Sequence, residues 1–195
     1  QSAPDDPAGD FEPSARGTFM VAGWAPGVQP VKLADGVAIK IPKGMRFGIQ
    51  IHYAPAEKDT IDQTRVGVYF ADGLIKKHMR ELLGDRKDLS VPPNDPNYSL
   101  TSTRTFDAAA VISFLHVHMH LRGKDYEVRL VYPDGKVETV FKTKWDFNWQ
   151  IGVDLEKPIQ IPKGTRIIGI AHFDNSANNK WNPDPTKLIV WGPQN

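Results

Sequence analysis

The chain of 195 residues is long enough for one large or two small domains. Its 24 basic and 23 acidic residues leave a formal net charge of +1, and this near-balance gives no argument for nucleic acid or an anionic membrane as a partner. Cysteine is absent, which excludes disulfides, thiolate metal sites and a cysteine nucleophile. No apolar run approaches the roughly 20 residues of a membrane span.

Short apolar segments separated by Pro, Gly and Asp turns predict an all-β chain. An N-terminal segment, residues 1–17, is rich in Pro, Asp and Ser and is predicted to be an extended arm. Strands are predicted over residues 37–41, 45–53 and 66–70. The polar, proline-containing stretch over 76–97 is the best candidate for a domain boundary.

The second half of the chain continues the same pattern. Pro133-Asp-Gly-Lys136 is typical of a hairpin turn and predicts that its two flanking strands pair. The aromatic residues of the 145–149 segment are expected in the core, and Asp174 and Asn175 are expected to organise a long loop by local hydrogen bonds. The predicted strands cover residues 101–106, 111–121, 126–132, 137–142, 159–161, 165–173 and 187–191.

Three of the six histidines, His116, His118 and His120, occupy alternate positions of one predicted strand. Such side chains share one face, with Cα atoms roughly 6.6 Å apart for neighbours and about 13 Å for the outer pair. Two imidazoles at the shorter spacing can converge on one metal ion, and the third then has another role. A solvated polar face and a set of hydrogen-bonded histidines remain alternatives. Gly123 is expected to bend the chain after the last histidine.

A repeat without gaps relates residues 39–53 to residues 159–173, at an offset of 120. Seven of the fifteen positions are identical, including the Pro-Lys-Gly turn, an arginine, and the pair His52 and His172. Strand–turn–strand units resemble one another in general, but the matching Arg and His favour a duplicated unit. The repeat therefore predicts two β-domains of similar topology.

Several motifs resemble the copper type II, ascorbate-dependent monooxygenases, the family of peptidylglycine α-hydroxylating and dopamine β-monooxygenases, and its bacterial branch most of all. The resemblance covers roughly residues 20–192. The motifs that carry it are Leu-His-Val-His-Met-His-Leu-Arg-Gly-Lys at 115–124, Trp-Asp-Phe-Asn-Trp-Gln at 145–150, His-Phe-Asp-Asn-Ser-Ala-Asn-Asn at 172–179 and Gln-Ile-His-Tyr at 50–53.

The resemblance implies two jelly-roll-like β-sandwiches, each holding one copper ion. Residues 1–97 then form the C-terminal part of an incomplete first sandwich with its N-terminal arm, and residues 98–195 form the second. The catalytic copper falls on His118 and His120, and the electron-supplying copper falls on His52. Imidazole ligands suit both oxidation states of copper.

The function implied is O2-dependent hydroxylation of a C–H bond in a small-molecule substrate. The electron donor is ascorbate-like or a cytochrome or redoxin module, and the location is extracytoplasmic, periplasmic or secreted, in a bacterium. Other segments of the same polypeptide or a larger complex are further expected partners. A non-catalytic metal-binding or interaction module of a larger redox assembly is the alternative.

This chain departs from the family pattern at three places. The adjacent His-His pair of the first copper site and the methionine of the second are not among these residues, which predicts that the chain is a fragment. His116 stands where peptide-amidating members have an arginine, so a peptidylglycine substrate is not supported. His116 and His172 are candidates for an alternative ligand or for orienting one, and for His172 a structural role is favoured.

Overall fold

The described residues of the computed structural model form only β-strands, turns and irregular segments, with no helix among them, which confirms the predicted all-β class. The strands are β1 (Val37–Ala38), β2 (Lys77–His78), β3 (Ser90–Val91), β4 (Tyr98–Thr105), β5 (Ala110–His116), β6 (Gly123–Val131), β7 (Val137–Lys144), β8 (Gly152–Ile161), β9 (Arg166–Phe173) and β10 (Ile189–Val190). The structure describes residues 19–25, 28, 30, 32–51, 53, 57–82, 86, 88–150 and 152–192.

Two units divide the chain. The first comprises Gln1–Gly23 and Val31–Leu82, and the second comprises Trp24–Pro30 and Leu83–Asn195. The predicted division into domains 1–97 and 98–195 stays a prediction. Within the ranges described above, no helix is long and apolar enough to cross a membrane.

The first unit contains one short parallel pair, in which β1 lies beside β2. Residues 45–51, residue 53 and residues 66–70 carry no strand, so the strands predicted there are wrong for the described positions. Their apolar side chains are exposed; Phe47 is 61% and Tyr53 66% accessible. Alternation creates an apolar face, but a strand also needs a neighbouring backbone for its hydrogen bonds.

The repeated Pro-Lys-Gly turn has the same geometry in both copies. The N–H of Met45 donates to the Pro42 carbonyl at 3.2 Å, and the N–H of Thr165 donates to the Pro162 carbonyl at 3.2 Å. Both turn glycines have positive φ, 83° at Gly44 and 88° at Gly164. The repeat therefore extends to the turn, whereas only the second copy continues into an assigned strand, β9.

The second unit is organised around a four-stranded antiparallel sheet of order β4-β9-β6-β7. The predicted hairpin joins β6 and β7, and the N–H of Tyr132 donates to the Lys136 carbonyl at 2.8 Å. Smaller antiparallel pairs join β5 to β8 and β3 to β10. These sheets are open rather than closed into a barrel.

One long antiparallel ribbon passes from the large sheet into the β5–β8 pair. Thr105 pairs with Arg166 in the large sheet, and Ala110 pairs with Ile161 in the smaller one, without a change of register between them. At the bend between the two pairs the N–H of Phe106 donates to the Thr165 carbonyl at 2.9 Å. Two strands that leave one sheet together in this way make a corner, as strands do when they switch sheets in packed β-structures.

A compact apolar cluster lies against one face of the large sheet. Val117, Met119 and Ala171 are its buried members, at 7%, 5% and 7% accessibility. Burying an aliphatic side chain of this size contributes about 1.5–3 kcal/mol. The half-buried residues packed on this cluster are Tyr126, Phe141, Trp145 and Phe173. The segment that carries the histidines is therefore anchored in the core by the residues between them.

Candidate metal centre

The three alternating histidines lie where β5 ends and a turn begins. β5 ends at His116, so the prediction of one strand through His120 is wrong, and residues 117–120 continue without assigned strand pairing. Buried and exposed side chains nevertheless alternate along this segment, as predicted. Val117 and Met119 are buried, whereas His118 is exposed. The chain turns at residues 121–122, just before Gly123, as predicted.

His118 and His120, the pair implied by the family resemblance, lie side by side. Their ring centroids are 5.1 Å apart, and the rings stand nearly perpendicular at 81°. Two imidazoles this close suit a chelate, because each supplies one nitrogen at about 2.0–2.1 Å from a zinc ion, and imidazole suits copper equally.

Gln150 determines which nitrogen of His118 carries the proton. The Gln150 amide nitrogen Nε2 donates to the Phe147 carbonyl at 2.9 Å, so its oxygen Oε1 is the atom that faces His118. That oxygen lies 2.7 Å from His118 Nδ1 and can only accept, so Nδ1 carries the hydrogen. Nε2 of His118 is then unprotonated in the neutral ring and has its lone pair available to a metal ion.

Trp145 supports the turn that carries His120. Its indole Nε1 donates to the His120 carbonyl at 3.1 Å, and its ring lies edge-on to His118 at 6.2 Å between centroids. Position 123 must be glycine, because a Cβ there would lie 2.5 Å from Trp145 Cδ1 and 2.7 Å from Met119 Cβ. The expectation that Trp145 belongs to the core is met, but Trp149 is 60% exposed and the same expectation for it is wrong.

A buried arginine ties the histidine turn to the long loop that follows β9. Arg122 is 7% accessible, and its Nε donates to Asn175 Oδ1 at 2.9 Å. Burial lowers the pKa of Arg122, and Asp184 opposes that change. Asn175 is fully buried, and its Nδ2 donates to the carbonyls of Pro92 and Lys187 at 2.8 and 2.9 Å. The motif spacing did not reveal this role of Arg122.

The long loop is also held by local bonds, as predicted for Asp174. Asp174 Oδ1 accepts from the N–H of Ser176 at 2.9 Å. Asn179 Nδ2 donates to the carbonyls of Asp174 and Leu121 at 2.9 and 3.2 Å, which attaches the loop to the histidine turn. The loop therefore fixes the backbone directly after His120.

His116 lies beside the pair and is held by a different bond. Its Nε2 is 3.3 Å from the Gln150 carbonyl oxygen, so this nitrogen is the one that donates. Partial desolvation lowers the pKa of His116, and the nearby His118 acts in the same direction, whereas the bond to the carbonyl opposes both. The single residue Gln150 thus contacts His116 through its backbone and His118 through its side chain.

The other two predicted site residues lie elsewhere in the chain. His172, on β9, places Nδ1 2.6 Å from Asp125 Oδ1 on β6. His52 lies outside the described residues, so its metal-binding role stays a prediction. Among the residues that are described, no group of three or more His, Cys, Asp or Glu side chains is arranged to hold a metal ion. The described centre therefore offers two ligands, His118 and His120.

No protein-family model matches the chain, and no curated protein matches it significantly. The resemblance to the copper monooxygenases therefore rests on the sequence motifs and stays a prediction.

Proposed function

We propose that the chain is a copper-dependent monooxygenase, or part of one, in which His118 and His120 hold the catalytic copper. The observation that carries this proposal is the pair of rings 5.1 Å apart, one of them held by Gln150 with its Nε2 lone pair available. Copper, when bound there, supplies the one-electron chemistry that activates O2 for hydroxylation of a substrate C–H bond.

The surrounding residues orient the two ligands. Gln150 is itself 6% accessible, so its amide is a fixed acceptor for His118 rather than a mobile surface group. Trp145 and the Arg122–Asn175 contact hold the backbone on either side of the turn that follows His120. Ligands held by such neighbours keep their geometry when the charge of a bound ion changes.

The remaining parts of the proposal follow from the sequence resemblance. They are two jelly-roll-like sandwiches, a second copper at His52, a small-molecule substrate, an ascorbate-like or protein electron donor, and an extracytoplasmic location in a bacterium. The ribbon that passes from the large sheet into the β5–β8 pair supports the sandwich architecture, since strands that change sheets make its corners. His116 remains a candidate for an alternative ligand or for orienting one, whereas the bond between His172 and Asp125 supports the structural role favoured for His172.

A second candidate is a non-catalytic metal-binding or interaction module in a larger redox assembly. It is favoured by the described ligand set, which is limited to two histidines. An interaction module requires no further metal ligand beyond these two histidines.

Metal loading followed by electron paramagnetic resonance tests the proposal. Cu(II) should bind with nitrogen hyperfine structure from imidazole, and in a His52→Ala background His118→Ala or His120→Ala should abolish that signal. His78→Ala is the matched control, because His78 lies exposed on β2. Consumption of O2 by the reduced copper form supports the enzyme, copper binding without consumption supports the module, and retention of the signal in both variants refutes the site.

A further inference from the structure

A groove of about 450 Å³ lies on the large sheet. Its lining residues come from β6, β7, β9 and the segment before β4, and they are Asn97, Asp125, Lys142, Thr143, Lys144 and His172. Side chains alternate between the two faces of a sheet, and Ala171 and Tyr126 point into the apolar cluster. Their neighbours His172 and Asp125 therefore lie on the opposite face.

Three titratable side chains form a row across this groove. Asp125 on β6 is the register partner of both His172 on β9 and Lys144 on β7. Its Oδ1 lies 2.6 Å from His172 Nδ1, so Nδ1–H is the donor in this bond. Nε2 is then the ring nitrogen of His172 that can meet a ligand.

Positive charge exceeds negative charge around the row. Lys142 Nζ is 3.4 Å from Glu127 Oε2, but Glu127 also contacts Arg129, so one carboxylate is shared by two cations. Among the lining residues, two cations face one carboxylate, an excess of one before His172 is counted; the cations are Lys142 and Lys144, and the carboxylate is Asp125.

We propose that this groove binds a small oxyanion, the carboxylate or phosphate group of a ligand, between Lys144, Lys142 and His172. Two ammonium groups donate to such an ion, and the imidazolium form of His172, which carries hydrogen on both ring nitrogens, adds Nε2–H as a third donor; charge-assisted bonds of this kind are about twice as strong as neutral ones. Asp125 keeps the His172 ring oriented and enters no contact with the anion. The proposal requires no metal ion and is independent of the copper centre.

The test is an amide NMR titration of the whole chain at constant pH and ionic strength, with sodium chloride as the balancing salt. Inorganic phosphate and acetate are the two probes, and they distinguish a phosphate from a carboxylate ligand. Saturable shifts of the Lys142–Lys144 and His172 amides are expected with at least one probe. Lys144→Gln should weaken binding roughly three- to tenfold, and Lys144→Arg should retain it.

Lys136→Gln is the matched control, because Lys136 lies in the turn of the same hairpin and its removal takes away the same unit of charge. Its affinity for the probes should stay near that of the unmodified chain. Non-saturable shifts with both probes would overturn the proposal. Equal weakening by Lys144→Gln and Lys136→Gln would overturn it as well, since only net charge would then be acting.

Discussion

Replacing Gln150 by Leu should remove the preference of the His118 ring for the tautomer with hydrogen on Nδ1. It should also weaken metal binding at the His118–His120 pair. The substitution keeps the apolar bulk of a side chain that is 6% accessible and removes the oxygen that lies 2.7 Å from His118 Nδ1. A hydrogen bond of this kind contributes about 0.5–1.5 kcal/mol, which changes the ratio of the two ring tautomers roughly two- to twelvefold. Loss of such an orienting partner typically lowers metal affinity by about 10- to 100-fold.

Two measurements separate the tautomer from the metal. The ¹⁵N chemical shifts of the His118 ring in the metal-free protein report which nitrogen carries the proton, and competition with a chelator reports copper affinity. Gln150→Glu should preserve the tautomer, because a carboxylate still accepts from Nδ1–H. Gln160→Leu, at an exposed position of β8, is the matched control and should change neither quantity.

Identical His118 ring shifts in Gln150→Leu and in the unmodified chain would refute this role of Gln150. It would then follow that the backbone alone orients the ring. If the tautomer changes and copper affinity does not, the hydrogen bond is real but the proposed metal ligand is wrong.

Three further substitutions test the packing and charges of the second unit. Asn175→Ala should lower the free energy of unfolding in urea by about 2.5 kcal/mol or more, since two carbonyls and a buried guanidinium each lose a partner; a loss below about 1 kcal/mol would contradict this role. Gly169→Ala should cost about 1–3 kcal/mol by thermal unfolding, because the added Cβ would lie 2.0 Å from the Tyr126 hydroxyl, and an unchanged melting temperature would refute the contact. The contact with Arg129 is the main cause that lowers the pKa of Glu127 from 4.5 to about 2. The stabilisation of the folded chain by this contact is therefore present above pH 4.5 and lost as the pH falls towards 2. The difference in unfolding free energy between the unmodified chain and Glu127→Gln should shrink over that interval, and a difference independent of pH would show that the ion pair contributes nothing.

Local patterns predicted much of the second unit correctly. The Pro-Asp-Gly-Lys turn predicted the β6–β7 hairpin because its residues satisfy the turn conformation by themselves; Gly135 has φ of 88°. The alternation around His118 predicted which side chains are buried, because successive residues of an extended chain point to opposite sides wherever it lies. The repeat correctly predicted that both copies share the Pro-Lys-Gly turn, because consecutive residues specify such a turn by themselves.

The predictions that were wrong concern features that depend on residues distant in sequence. Residues 45–51 alternate as clearly as β9 does, yet only β9 lies between two other strands, β4 and β6. β5 ends at His116 because its pairing with β8 ends there, at Gly152. The orientation of His118 depends on Gln150, 32 residues further along the chain.

Residue patterns alone predicted the all-β class, the turns and the side of the chain from which the histidines project. Those properties belong to the backbone and side chains of a few consecutive residues. Only the tertiary structure decided which nitrogen of His118 is available, which buried polar groups hold its turn, and which charges gather beside His172. Hydrogen bonds and charge interactions act across space, and residue spacing alone does not specify them.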